Sequence, residues 1–387
     1  MKYPADQLLA SAKALEEPLR AIRRDLHRHP ELGFEEFRTT ALIKERLAAL
    51  PGVALRDIAM KTGAVADIAG TDPSRGTVAL RCDIDALPLQ EENTHGYQSE
   101  VPGKMHGCGH DGHVAVLLGA ATLLSKFRPK RNVRLLFQPA EESTPDGAPD
   151  FLACGVLDGV NEAWGFHLNA TSDFGNVGWY DGTVMAGSTY FKITVRGKSV
   201  HTAYPDRGAN PAVILPRIAV ELDGIKQGIR ATRPWSITLT SIQTGDEDVV
   251  ATPPEGVMTG RVCFHEDEVD EYIRARISAA AKAFCDIYGA TCEVYFEKGF
   301  PLTYNTPEMG EIVRANARAF GLPLEQIFPS MGSDDFGYYG RDIPTYYMTF
   351  GLRTCPEFHI AHTPRFDFDE SILPTGALMM ASVALRD

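Results

Sequence analysis

Tyr190-Phe191-Lys192-Ile193-Thr194-Val195 decides how this chain is organised. It reads as a clean strand, rich in aromatic and β-branched residues. It also marks a change of pattern that begins after Gly187. Beyond it, Pro211 to Ile229 has a helical pattern, and Ser236 to Ile242 and Gly256 to Phe264 read as strands joined by a Pro/Gly/acidic turn region. Glu268 to Tyr288 is a long helix and Thr291 to Phe296 a last strand. The order βαββαβ is that of a ferredoxin-like module. A unit of roughly 110 residues is large enough to fold as an inserted domain.

On either side the pattern is different. Leu19 to Leu26 and Thr39 to Leu50 look like amphipathic helices, with Leu19, Ile22 and Leu26 on one face. Thr77 to Cys82 is an apolar run typical of a buried strand. His113 to Phe127 reads as a helix, and Val133 to Phe137 and Ala163 to Phe166 as strands. From Pro307 helix and strand alternate again, with Thr345 to Phe350 the best strand. Such alternation predicts an α/β fold around a wound, mostly parallel sheet. The expected arrangement is one sheet domain from residues 1–186 and 300–387, interrupted by a smaller domain at 187–299. A length of 387 residues agrees with two domains.

Composition narrows the function classes. Hydrophobic residues are 44% and charged residues 23%, ordinary values for a soluble globular protein. Lys and Arg number 38 against 51 Asp and Glu, a formal net charge of −13, which argues against a nucleic-acid partner. The longest apolar stretch, Val114 to Leu124, is too short to span a bilayer. The start of the chain lacks the apolar region of a signal peptide. The 7 cysteines are scattered, with no CxxC pair. The expectation is a reduced, cytoplasmic protein with no membrane partner.

Five segments carry chemistry. Met105-His106-Gly107-Cys108-Gly109-His110-Asp111-Gly112-His113 packs three His, one Cys and one Asp among three Gly. Thiolate and imidazole are good zinc ligands, and glycine lets backbone approach an ion. A Gly-rich turn at a helix start, or a Cys-His nucleophilic pair, fits the same residues. In Gln138-Pro139-Ala140-Glu141-Glu142 two carboxylates follow a buried strand, at the sheet edge where α/β proteins bind ligands. If the chain stays extended there, Glu141 and Glu142 point to opposite sides, one toward a metal and one toward a water. Arg81-Cys82-Asp83-Ile84-Asp85 also ends a strand in carboxylates, and Asp85 is placed to hold a ligand imidazole in its tautomer. Trp164-Gly165-Phe166-His167 runs a strand into a His, and Phe358-His359-Ile360-Ala361-His362 carries two more. Several strand ends or adjacent loops thus present metal-type side chains.

These motifs resemble those of the co-catalytic metallopeptidase superfamily of aminoacylases, dipeptidases and glutamate carboxypeptidases. The likeness is closest to the amidohydrolase branch of hippurate hydrolases, N-acyl-amino-acid deacetylases and auxin-conjugate hydrolases. It runs from Arg24-Asp25-Leu26-His27-Arg28-His29-Pro30-Glu31-Leu32-Gly33 to Phe366-Asp367-Phe368, and includes Met331-Gly332-Ser333-Asp334-Asp335-Phe336. The resemblance implies a site for two divalent metals, held by Cys108, His110, Glu142, His167 and His362, with Cys108 in place of a bridging carboxylate. Zinc is the first candidate; manganese, cobalt and nickel also suit such a ligand set. It implies Glu141 as general base, and an inserted lid domain that forms a homodimer and brings His201 to the partner's active site. His362 is chosen over His359 by the resemblance alone. The chain departs from the branch at Ser199-Val200, where Gly-Gly is usual, and at Val250-Ala251-Thr252-Pro253, where Asn-Val-Ile-Pro is usual. It departs again at His167-Leu168-Asn169-Ala170 and His362-Thr363-Pro364. The expected activity is metal-dependent hydrolysis of an N-acyl amino acid or similar small amide. A dipeptidase or aminopeptidase of the same superfamily, a non-catalytic metal-binding descendant and a thiol-nucleophile enzyme are the alternatives.

Overall fold

In the computed structural model, which describes residues 3–246 and 250–386, the flanking segments build one eight-stranded sheet. The strands in chain order are β1 (Val53–Arg56), β2 (Ala64–Ile68), β3 (Thr77–Asp83), β4 (Asn132–Gln138), β5 (Glu162–Asp173), β6 (Val177–Trp179) and β7 (Gly182–Met185). Then follow β8 (Gly187–Arg196), β9 (Trp235–Thr244), β10 (Glu255–Phe264), β11 (Thr291–Lys298), β12 (Thr303–Asn305), β13 (Leu324–Gln326) and β14 (Thr345–Arg353). The α-helices are α1 (Ala5–Lys13), α2 (Glu16–Arg28), α3 (Phe37–Ala48), α4 (His110–Lys126), α5 (Ala148–Ala153), α6 (Pro211–Asp223), α7 (Asp267–Tyr288), α8 (Pro307–Ala319) and α9 (Leu373–Ala384).

The chain divides into two units. The first comprises Met1–Gly182, Tyr304–Phe328 and Tyr338–Asp387. Its sheet runs β1-β2-β4-β3-β5-β14-β6-β13. The central strands β4, β3, β5 and β14 are parallel, as the alternation predicts. The margins are not: β1, β2 and β6 pair antiparallel with their inner neighbours. β3, β4 and β14 are buried along nearly their whole length, which explains their continuous apolar runs. α4 and α9 pack on this sheet and are themselves apolar almost all round, as buried helices are. The parallel centre matters for function because it sends the C-terminal ends of β3, β4 and β5 to one edge.

The second unit comprises Thr183–Thr303 and Pro329–Gly337. Its strands β8, β9, β10 and β11 form an antiparallel sheet in the order β11-β8-β10-β9. With α6 and α7 in the chain order β8-α6-β9-β10-α7-β11, this is the ferredoxin-like module that the sequence pattern predicts. Its core is its own: Phe191, Ile193 and Val195 meet Ile214, Ile218, Ile273 and Ile277. The bounds depart from 187–299, because the segment that holds Met331 to Phe336 belongs to this unit. Ser330 accepts hydrogen bonds from the Ala186 N–H at 3.1 Å and from His265 Nε2 at 2.8 Å. No helix among the described residues is long and apolar enough to cross a membrane.

Candidate metal centre

The edge where β3, β4 and β5 end collects the chemistry-bearing segments of the first unit. α4 begins there at His110, after Gly109 with φ +98°, a left-handed conformation that favours glycine. A Cβ at Gly112 would lie 2.7 Å from both Leu168 Cδ1 and Phe368 Cζ. The first of these glycines lets the chain turn into α4, and the second lets the helix lie close to its neighbours. Both conditions place His110.

His110 and His167 are each oriented by a second ring nitrogen. His110 Nδ1 lies 3.1 Å from the Asp85 carbonyl oxygen and 3.2 Å from Asp85 Oδ1. His110 Nε2 is buried with no partner that meets hydrogen-bond geometry among the described residues. His167 Nδ1 donates to the Leu168 carbonyl at 2.8 Å, which turns Nε2 toward Cys108 Sγ at 3.4 Å. His362 Nε2 lies 2.9 Å from Glu142 Oε1. Asp85 also holds the backbone of Glu142, whose N–H donates to Asp85 Oδ2 at 2.9 Å.

Potential ligand atoms lie within 4.8 Å of one another in several groups, among them Cys108, His110 and His167; Cys108, Glu142 and His362; and His110, Glu141 and Glu142. Cys108 is common to the first two, so the five ligand candidates that the resemblance implies form one continuous cluster. A thiol, three imidazoles and carboxylates around an orphaned buried nitrogen form a donor set that fits a transition-metal ion.

Electrostatics point the same way. Burial pushes the Cys108 thiol up, although the charge of His110 opposes this. The Glu142 carboxyl is penalised by burial, yet the hydrogen bond with His362 and the charge of His110 hold it below the usual carboxylate range. His362 is pushed up to about 10 by its hydrogen bonds with Cys108 and Glu142. Cys108 and His362 thus hold protons beside the ionised Glu142, where a divalent cation would displace them.

The structure differs from the sequence reading at the Glu pair. An extended chain would send the two carboxylates apart, but Ala140 has φ +59° and the chain turns at Glu141 and Glu142. Both carboxylates therefore reach the neighbourhood of His110. The turn is held from below by Glu36, whose Oε1 accepts the Ala140 N–H at 2.8 Å. Glu36 is buried, and its carboxyl is pushed up to about 7 by burial and by the charge of Asp85. It lies 104 residues from Ala140, and no local pattern marks it. His362 also has a left-handed backbone, φ +64°, and its N–H donates to Gly107 at 2.8 Å. Left-handed non-glycine residues cost energy and collect at functional sites. His359 is exposed.

Residues 79–386 match the model of peptidase family M20/M25/M40. The chain belongs to this family. It is a metal-dependent hydrolase of C–N bonds. Among curated relatives in the family, the chain is 36% identical to an N-acetyl-L-cysteine deacetylase of Bacillus subtilis, covering 96% of this chain and 88% of the relative. It is 34% identical to thermostable carboxypeptidase 2 of Saccharolobus solfataricus, over 98% of both chains. A solved family member from Bacillus subtilis, described as a dinuclear metal-binding peptidase, superposes with a TM-score of 0.86 at 31% identity. The match covers 96% of this chain and 98% of that one.

Proposed function

We propose that this chain hydrolyses the amide bond of an N-acyl amino acid or a similarly small conjugate, using two divalent metal ions held by Cys108, His110, Glu142, His167 and His362. The observation that carries this reading is the turn at Ala140, which puts Glu141 beside the ligand candidate Glu142 and near His110. A divalent metal at this cluster supplies Lewis acidity toward a carbonyl and toward water. Glu141 takes the proton from the attacking water and delivers it to the departing amine, which is a poor leaving group until protonated. Asp85 fixes the ring of His110 and the backbone of Glu142 together, so the two ligands keep one spacing.

His201, in the second unit, is the proposed oxyanion donor. It is exposed, and its Nδ1 accepts the Ala203 N–H at 3.1 Å, which leaves the ring proton on Nε2 facing outward. The two lid departures meet around it: Thr252 N–H donates to the Val200 carbonyl at 2.9 Å, and Ser199 Oγ donates to the Thr252 carbonyl at 2.6 Å. The proposed assembly is a homodimer through the second unit, with His201 serving the partner's site.

The deacetylase relative favours an N-acyl amino acid, and the carboxypeptidase relative supports a peptide bond beside a free carboxylate as the second reading. A screen of the metal-reconstituted protein over N-acyl amino acids and dipeptides, read by amine release, separates them. Turnover of dipeptides without turnover of N-acyl amino acids would replace the first reading with the second. The dimer is tested by mixing Glu141→Gln with His201→Ala. A shared site regains activity on subunit exchange, since one site of the heterodimer carries neither defect. Demonstrated exchange without recovery removes His201 from the partner's site.

A further inference from the structure

Residues 84–109, between β3 and α4, contain no helix and no strand beyond isolated bridges. Such a long irregular connection is uncommon in a compact domain unless something fixes it. Two of its residues, Glu91 and His95, meet His27 of α2 in a group that shares no member with the centre described above.

The spacing within this group is informative. His27 Nε2 and His95 Nε2 each lie 3.3 Å from Glu91 Oε1, and Asp367 Oδ2 lies 3.6 Å from His95 Nε2. A charge-assisted N–H···O bond spans about 2.7–2.9 Å. Both His–Glu separations are longer: His27 Nε2 makes only a long hydrogen bond to Glu91, and His95 Nε2 finds no hydrogen-bond geometry among the described residues. Ligands at about 2.0–2.1 Å from a tetrahedral zinc stand about 3.3–3.4 Å apart.

The surroundings are those that hold ligands in place. His27 Nδ1 lies 2.7 Å from Asp111 Oδ2, a carboxylate–imidazole pair that turns Nε2 toward Glu91. Glu91 accepts the Ser99 N–H on Oε2 at 2.6 Å and the Asn93 amide on Oε1 at 3.1 Å. The His95 ring stacks on Tyr97 at 3.8 Å, and the Tyr97 hydroxyl donates to Asp367 Oδ2 at 2.8 Å. The carboxylates of Asp111 and Asp367 share the buried guanidinium of Arg23, at 2.9 Å and 2.7 Å, and Glu91 adds a third carboxylate beside His27 and His95. The remaining partner of Arg23, Glu370, also pairs with Arg20 and Arg24. The surplus of negative charge suits a divalent cation. His27 and Glu91 side chains are 0% and 3% exposed, while His95 at 20% opens a route from solvent.

We propose that His27, Glu91 and His95, with Asp367 completing the set, bind a divalent cation of the zinc type that fastens the 84–109 segment to α2. The site is structural: every ligand position comes from the protein, and no substrate face is left open.

The test uses the full chain, stripped of metal and equilibrated with buffered zinc alone, then counted by mass spectrometry. His95→Gln is expected to hold one zinc fewer per chain than wild type. In the cobalt-loaded protein it should keep the thiolate-to-metal absorption contributed by Cys108. Cys108→Ser is expected to lose that absorption while still losing one further ion when His95→Gln is added. Equal zinc in wild type and His95→Gln at every buffered concentration would overturn the proposal. Loss of the thiolate signal together with the zinc in His95→Gln would overturn it as a separate site. Should His95→Gln fold poorly, as judged by near-ultraviolet dichroism, Glu91→Gln gives the same reading.

Discussion

His110 and His113 stand one turn apart on α4, in one nine-residue motif, and the protein treats them differently. Each has Nδ1 on a carboxylate at the end of β3: His113 on Asp83 at 2.5 Å and His110 on Asp85 at 3.2 Å. The difference is at the other nitrogen. His113 Nε2 accepts the Leu168 N–H at 3.0 Å, so both sides of that ring are used within the protein. His110 Nε2 is buried and, among the described residues, has no partner in hydrogen-bond geometry, Asp83 Oδ1 standing 3.6 Å away. A buried imidazole with two protein partners is a structural element. One with a single partner and a buried lone pair awaits something from outside the chain. Residue type and spacing do not separate the two cases.

Four substitutions put this contrast at risk. The largest effect is expected for His110→Asn, which should abolish amide hydrolysis and lower metal content while the stripped protein melts near wild type; retained metal and turnover would erase the distinction. Glu141→Gln should lower turnover by about 10²–10⁴-fold with metal content unchanged, measured as kcat beside elemental analysis. His113→Ala acts on the closed ring, removing the 2.5 Å partner of buried Asp83 and leaving it Arg81 at 2.8 Å and His110 at 3.6 Å. Denaturant unfolding should report a loss of about 3–5 kcal/mol, with metal still bound at low temperature. The smallest effect concerns Glu36. Its carboxyl rises from 4.5 to about 7 on folding, so the folded state keeps a proton that the unfolded chain releases. That contribution is fully present below pH 4.5 and is lost as the pH rises through about 7. Glu36→Gln keeps an oxygen for the Ala140 N–H and should match wild type near pH 4.5. At pH 8 it should exceed wild type by up to about 3 kcal/mol, at about 1.36 kcal/mol per unit. A constant difference across that range would remove the titration.

The sequence made the long elements legible and the short ones not. β3, β4 and β14 are continuous apolar runs because both faces are covered, and the ferredoxin-like unit keeps its chain order in full. β6 and β13 have three residues each, too few for a period to emerge. α9 buries nearly every residue, so it has no polar face to betray a helix. Within the candidate site, the metal-type side chains that gather there could be read from motifs at strand ends. Their directions could not: the left-handed Ala140 reverses the expected divergence of Glu141 and Glu142, and only the folded chain brings Glu36 beneath it. The bounds of the second unit also escaped, since Pro329–Gly337 joins it by hydrogen bonds to residues far earlier in the chain.

The interrupted order of the first unit sets a timetable for the ribosome. Cys108, His110, Glu142 and His167 are synthesised first, then the whole of the second unit, and His362 about 200 residues after His167. At about 5–20 residues per second that interval is roughly 10–40 s. During it the nascent chain displays a thiol and two imidazoles with no β14 to lie beside β5 and no α9 to cover α4. The inserted unit has a separate core and can finish folding in that time. The candidate ligand cluster is therefore completed after the domain that interrupts it, and an ion captured early would be held by an unfinished set of side chains.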